Sequence, residues 1–208
     1  MTTHPIAYDS KVPARPAPVR LLVDDDLFRS RLTIWLRLYL VVPHLLWLCC
    51  WATAAAFASW WMWLRVIATG RSSERLHRFL GRYVRYFVHV EAYLLLVADP
   101  FPSFTARTGY PIDLSIPLAA RQNRASAVVR WLIALPATVL ATGLIVGACG
   151  AAVAGWCVCV VLGRMPEGLR NFSAACLGYQ AQTAAYVLLL TAAYPRFRTQ
   201  DEDGSPLG

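Results

Sequence analysis

Two long apolar stretches dominate the pattern of this chain. From Leu38 to Leu64, and again from Trp131 to Gly163, there is no Asp, Glu, Lys or Arg. Each run exceeds the roughly 20 residues that a helix needs to cross a hydrocarbon core of about 30 Å, so each predicts a membrane helix. Ahead of each run lies a short alternating stretch, Val19-Arg-Leu-Leu-Val23 and Ile112-Asp-Leu-Ser-Ile116, which predicts extended backbone. Behind each run a tight turn leads into a second helical pattern that ends before Pro100 or Pro195. Pro43 and Pro136 fall inside the first helices, where a missing backbone hydrogen bond predicts a kink or a break.

These patterns recur at a fixed offset. Pro18 and Pro111 are 93 residues apart, and the same step links Pro43 with Pro136, Gly70 with Gly163, Glu74 with Glu167, Tyr93 with Tyr186 and Phe104 with Phe197. Residues 18–104 align on 111–197 without a gap, with 20 identities in 87 positions, where chance in so Ala- and Leu-rich a chain gives about 7. The expected organisation is a disordered tail over 1–17, repeat one over 18–104, a linker over 105–110, repeat two over 111–197 and a disordered acidic tail over 198–208. Within each turn the chemistry is local. Gly163 suits the positive φ of a helix end, Pro166 and Glu167 suit the first turn of the next helix, and Ser72 or Ser73 with Glu74 plays that part in repeat one. The fold class expected is all-α and integral to a membrane, two tandem helical hairpins with about four transmembrane helices. If both helices of each hairpin span, the copies run parallel about an axis near the membrane normal.

Composition strengthens the membrane expectation. The chain is 57% hydrophobic and 15% charged, with a mean hydropathy of +0.44, against about 25% charge in a soluble domain. The net charge is +8, and Lys11 is the one lysine among 20 basic residues. Arginines that flank apolar runs snorkel to headgroups or set topology, so lipid is favoured over nucleic acid as the partner. The proline-rich first 18 residues have no apolar core and do not read as a signal peptide. The expected location is a bacterial inner membrane, multi-pass. Cys49, Cys50, Cys149, Cys157, Cys159 and Cys176 all lie in apolar stretches without a Cys-x-x-Cys pair, so neither a disulfide framework nor a metal site is expected.

The turn and the end of the second helix resemble a known bacterial membrane family, the domain of unknown function 4389. Copy one carries Thr69-Gly70-Arg71, Leu76, Phe79, Ala92-Tyr93, Asp99 and Pro102 of its pattern. Copy two carries Gly163-Arg164, Pro166, Gly168-Leu169, Phe172, Ala185-Tyr186, Thr191, Tyr194-Pro195 and Phe197. Ser73 stands where the pattern has the turn proline, and Ala192 where it has the aspartate. The resemblance implies a two-unit helical membrane protein and implies no activity.

Several constellations are candidates for function. Arg71, Arg75, Arg78, Arg82, Arg85 and His89 follow at steps of four and three, which predicts one basic helix face for anionic lipid or an acidic partner. Their copy-two counterparts are Arg164, Gly168, Asn171, Ala175, Gly178 and Gln182, so this stripe belongs to repeat one. Glu91 is an acid in an apolar segment, expected either to pair with an arginine of a neighbouring helix, such as Arg37 or Arg65, or to stay protonated. Gly143, Gly147, Ala151 and Gly155 recur every four residues, a small-residue seam expected to join the two copies or to support a homo-oligomer. His44 has an alanine counterpart and reads as structural. Trp47, Trp51, Trp60, Trp61 and Trp63 read as an aromatic belt or as packing against neighbours. The Asp24-Asp25-Asp26 cluster lies beside Arg29 and Arg31 and reads as solvated and locally paired. There is no nucleophile elbow, no His-Glu-x-x-His and no phosphate loop with lysine. The expected role is therefore non-enzymatic and cofactor-free, an accessory or scaffold subunit, with a small carrier or channel as the alternative.

Overall fold

The structure, a computed structural model, describes residues 19–23, 31–119 and 122–197, with side chains of the first helix from Trp35 onward. Both tails and the Asp24–Asp26 cluster lie outside these residues. Strand β1 (Arg20–Val23) precedes helix α1 (Arg31–Thr69), and α2 (Glu74–Leu94) returns along it. Strand β2 (Ile112–Ser115), α3 (Arg124–Leu162) and α4 (Glu167–Val187) repeat the order. Each element of repeat two has the length of its counterpart: four residues in the strands, 39 in α1 and α3, 21 in α2 and α4.

Pro43 and Pro136 do not interrupt their helices. Both rings lie on the exposed side, where the lost hydrogen bond leaves its carbonyl away from the packed interior. The turn glycines take the expected left-handed conformation, Gly70 at φ 70° and Gly163 at φ 68°. Pro166 serves as the N-cap of α4 rather than sitting inside its first turn, and Ser73 caps α2 by backbone geometry without a side-chain bond. The second helices stop well short of Pro100 and Pro195. Each closes on a leucine in the left-handed region, Leu96 at φ 60° and Leu189 at φ 61°. The amide of the next residue donates back to a helix carbonyl, Val97 to Ala92 at 2.9 Å and Leu190 to Ala185 at 2.8 Å.

The arrangement of the two copies differs from the parallel one expected. Trp35 near the start of α1 packs edge-on against Trp156 near the end of α3, at 5.1 Å between ring centroids. At the other end the Trp63 indole donates to the Ala127 carbonyl at 2.9 Å. Helices α1 and α3 are therefore antiparallel. The strands pair antiparallel in the register Arg20↔Ser115, Leu21↔Leu114, Leu22↔Asp113, Val23↔Ile112. Under the 93-residue step this register maps onto itself with Leu21 opposite its own counterpart, so a local two-fold axis passes through the ribbon. The parallel expectation assumed that each repeat makes two full crossings. Here the extended segment after α2 runs back along it, with His77 Nε2 bonded to the Pro117 carbonyl at 2.9 Å and Gly70 accepting from the Gln122 amide. That return leaves each repeat reversed relative to the other.

Three layers stack along the axis: the α1/α3 pair, the α2/α4 pair and the ribbon. The strands are exchanged, since β2 packs on α2 and β1 packs on α4. Ile116 lies 3.4 Å from a Cβ built on Gly81, and Leu21 lies 3.7 Å from one built on Gly178. One core cluster runs through both repeats, with Leu80, Val84 and Val88 of α2 and Leu177, Ala181 and Ala185 of α4 inside it. The outer faces of α1 and α3 remain exposed and apolar, from Leu38, Leu46 and Phe57 to Leu132, Val139 and Val153. Among the described residues these are the two helices long and apolar enough to cross a membrane.

Candidate functional site

The basic stripe divides in the folded chain. Arg71, Arg75, Arg78 and Arg82 are exposed, whereas Arg85 is half-buried and His89 is buried. Arg85 Nε donates to Asp113 Oδ1 at 2.8 Å, and its Nη2 donates to the Leu114 carbonyl at 3.1 Å. His89 Nε2 lies 3.7 Å from the same carboxylate oxygen, with Tyr110 packed over its ring at 4.5 Å. Burial pulls the His89 pKa down to about 4, against the opposing pull of Asp113. These last two members tie α2 to the ribbon and take no part in an open surface.

Of the other four arginines, Arg75, Arg78 and Arg82 border a groove of about 740 Å³ between α1 and α2, while Arg71 lies in the turn before α2. Arg75, Arg78, Arg82 and Phe79 line it from α2, Trp47 and Trp51 from α1, and Phe104 and Thr105 complete the lining. Spacing places them well, because steps of three and four keep the three arginines on one face of α2. Among the described residues none of the three has an acidic partner. Behind the groove Trp51 packs against Tyr86 at 5.3 Å, and His44 stacks on Phe104 at 4.1 Å while sharing a 2.6 Å hydrogen bond with the Tyr86 hydroxyl. His44 is thus a structural residue holding the wall.

Glu91 finds neither of its expected partners. It lies at the contact of α2 with α4, where Gln180 Nε2 donates to its Oε1 at 3.3 Å. Burial raises its carboxyl to about 7, with the Gln180 bond acting the other way. Arg65 is exposed at the end of α1. Arg37 is committed elsewhere, because its guanidinium reaches buried carbonyls at and just beyond the end of α2.

That use of Arg37 is the feature the sequence reading missed. Its Nη1 donates to the carbonyls of Tyr93 and, at 3.2 Å, Ala98, and its Nη2 pairs with Asp99 at 2.8 Å. In repeat two Arg130 Nη1 donates to the carbonyls of Tyr186 at 3.0 Å and Thr191 at 2.9 Å. Each guanidinium also lies over a tyrosine ring, 4.3 Å from Tyr93 and 4.5 Å from Tyr186. In the helix-ending turn the Tyr93 and Tyr186 carbonyls accept only long backbone bonds, from the Leu96 amide at 3.3 Å and the Leu189 amide at 3.2 Å, and one arginine per repeat adds a charged donor to them. The signal was present: Arg37 and Arg130 are identical residues 93 apart, each pointing inward from an otherwise apolar helix.

The small-residue seam also needs correction. Gly147 faces Phe172, and Gly155 faces Met165, both within repeat two, while Gly143 faces open space. The glycines at 147 and 155 admit bulky α4-side residues of their own repeat, and Leu96 of repeat one lies 4.0 Å from a Cβ built on Gly155. Cysteines 49, 50, 149 and 157 are exposed, Cys159 and Cys176 are buried, and all are free. Among the described residues no group of three or more His, Cys, Asp or Glu is placed to hold a metal ion.

The profile of a domain of unknown function, DUF4389, matches twice, over residues 31–106 and 124–199. No curated protein and no solved structure matches the chain.

Proposed function

The chain belongs to the DUF4389 family, in two tandem copies, and on that premise we propose that it is a membrane-embedded, non-enzymatic accessory or scaffold subunit whose basic groove takes anionic headgroups. One observation carries the reading. Three exposed arginines, without acidic partners among the described residues, stand against tryptophans that continue into the apolar outer face of α1. Arginine stems lie along apolar surface while their heads reach phosphate, indoles favour the same boundary, and each basic residue near an anionic surface contributes about 1 kcal/mol. The apolar seam between α2 and α4 supports a scaffold over a carrier, which needs a polar path. Glu91 alone favours the carrier, since its Oε2 has no hydrogen-bond partner at that seam.

Flotation of the purified full chain with vesicles tests the reading. Association with phosphatidylglycerol vesicles should exceed that with phosphatidylcholine vesicles and should persist through alkaline carbonate. A chain that stays compact and soluble without detergent, and prefers neither vesicle, overturns it. For the carrier, proteoliposome flux that Glu91→Gln leaves unchanged removes its support. Crosslinking in native membranes then identifies a fixed partner of the scaffold.

A further inference from the structure

We infer that the protein lies within one leaflet of a bilayer, with α1 and α3 parallel to the membrane plane and the local two-fold axis along the membrane normal. The inference rests on the membrane reading above and adds the surface that lipid covers. Polarity changes layer by layer along the axis. The outermost pair presents residues such as Leu46, Phe57, Val139 and Val153 on its open faces. The next layer carries exposed Arg75, Arg78 and Arg82. The last layer is a ribbon whose exposed residues are Arg20, Leu22 and Ser115, two polar and one apolar.

If α1 and α3 stood across the bilayer, all three layers would sit side by side at membrane depth. Among the described residues no third strand joins the ribbon; side chains of Arg85 and Asp113 meet the Leu114 backbone in β2, and hydrocarbon supplies no partner for the amides and carbonyls on the outer edge of β1. The exposed arginines beside Trp47 and Trp51, near the middle of α1, would also lie deep in lipid, where charge is strongly disfavoured. Length points the same way: 39 residues at about 1.5 Å each make a helix of about 58 Å, roughly twice the hydrocarbon thickness. Laid flat, the helices sink in the acyl region, the arginine groove opens at the level of the phosphates, and the ribbon meets water.

Thr69 and Leu162 are exposed, occupy equivalent positions and lie at opposite ends of the antiparallel pair. In a full-length variant with all native cysteines replaced, Thr69→Cys and Leu162→Cys should react with an impermeant maleimide from the same side of sealed vesicles. Reaction from opposite sides overturns the inference while leaving the membrane reading intact. Recovery in the soluble fraction defeats the membrane reading itself. Oriented circular dichroism of the unaltered protein in phosphatidylglycerol bilayers gives an independent readout. Helices in the membrane plane are expected, and a transmembrane orientation refutes the proposal even where the cysteine-free variant does not fold.

Discussion

The two repeats share a fold and differ in their charges. Leu76 and Leu169, Phe79 and Phe172, Tyr93 and Tyr186, and the arginines at 37 and 130 occupy equivalent places. By contrast Arg75, Arg78, Arg82, Arg85, Glu91 and Asp99 face Gly168, Asn171, Ala175, Gly178, Ala184 and Ala192. Repeat two builds the same helices and closing turn without those six charges, so the hairpin does not require them. What they do must be specific to repeat one: Arg85 secures the exchanged strand, Asp99 joins the Arg37 cluster, and the remaining arginines border the groove.

The sharpest way to break this comparison is through the shared arginines. Arg37→Ala and Arg130→Ala should each destabilise the fold by about 3 kcal/mol, because buried carbonyls lose a charged donor. Thermal unfolding in detergent checks this, and a loss confined to one repeat would deny the equivalence. Glu91 comes next. Its folded pKa of about 7 lies above the ordinary 4.5, so the folded state favours the neutral form. Stability should therefore fall as pH rises from 4.5 through 7, by about 3 kcal/mol at most above that window. Glu91→Gln should flatten this contribution, and unfolding of both proteins at pH 5 and pH 8 isolates it from the opposite trend of His89. A difference between the two proteins that does not change with pH refutes the assignment.

The groove should respond in binding rather than in folding. Arg78→Gln with Arg82→Gln should weaken association with phosphatidylglycerol vesicles roughly tenfold or more at unchanged stability, while Arg196→Gln in repeat two should have little effect. Equal loss in both would reduce the groove to general basicity. The smallest effects belong to the glycines of α3. A Cβ on Gly155 would meet Met165 Sδ at 2.6 Å, the end of a flexible side chain, whereas one on Gly143 meets nothing within 4 Å. Gly155→Ala should cost about 1 kcal/mol after repacking, and Gly143→Ala should stabilise by up to about 1 kcal/mol through helix propensity.

Periodicity and the 93-residue step made the helices, the turns and the repeat legible, because each depends on neighbours within a few residues or on direct comparison of two segments. The spacing of the stripe placed six residues on one helix face; five of them, Arg75 to His89, lie in α2 and Arg71 lies in the turn before it, and Arg85 and His89 were assigned to an open surface. Nothing local reveals that Asp113 of the other repeat's strand arrives beneath them. Glu91 failed likewise: an acid in an apolar segment announces a partner, but Gln180 is 89 residues away.

The amino-acid order by itself determined a doubled, apolar, helical chain with a one-sided distribution of charge, since hydrophobic period, glycine turns and duplication are properties of the chain as written. Only the tertiary structure decided that the copies are antiparallel, that their strands are exchanged and that Arg37 closes a helix end instead of pairing with Glu91. Those outcomes depend on backbone groups left unsatisfied by one segment being met by another, and complementarity between distant segments leaves no periodic trace along the chain.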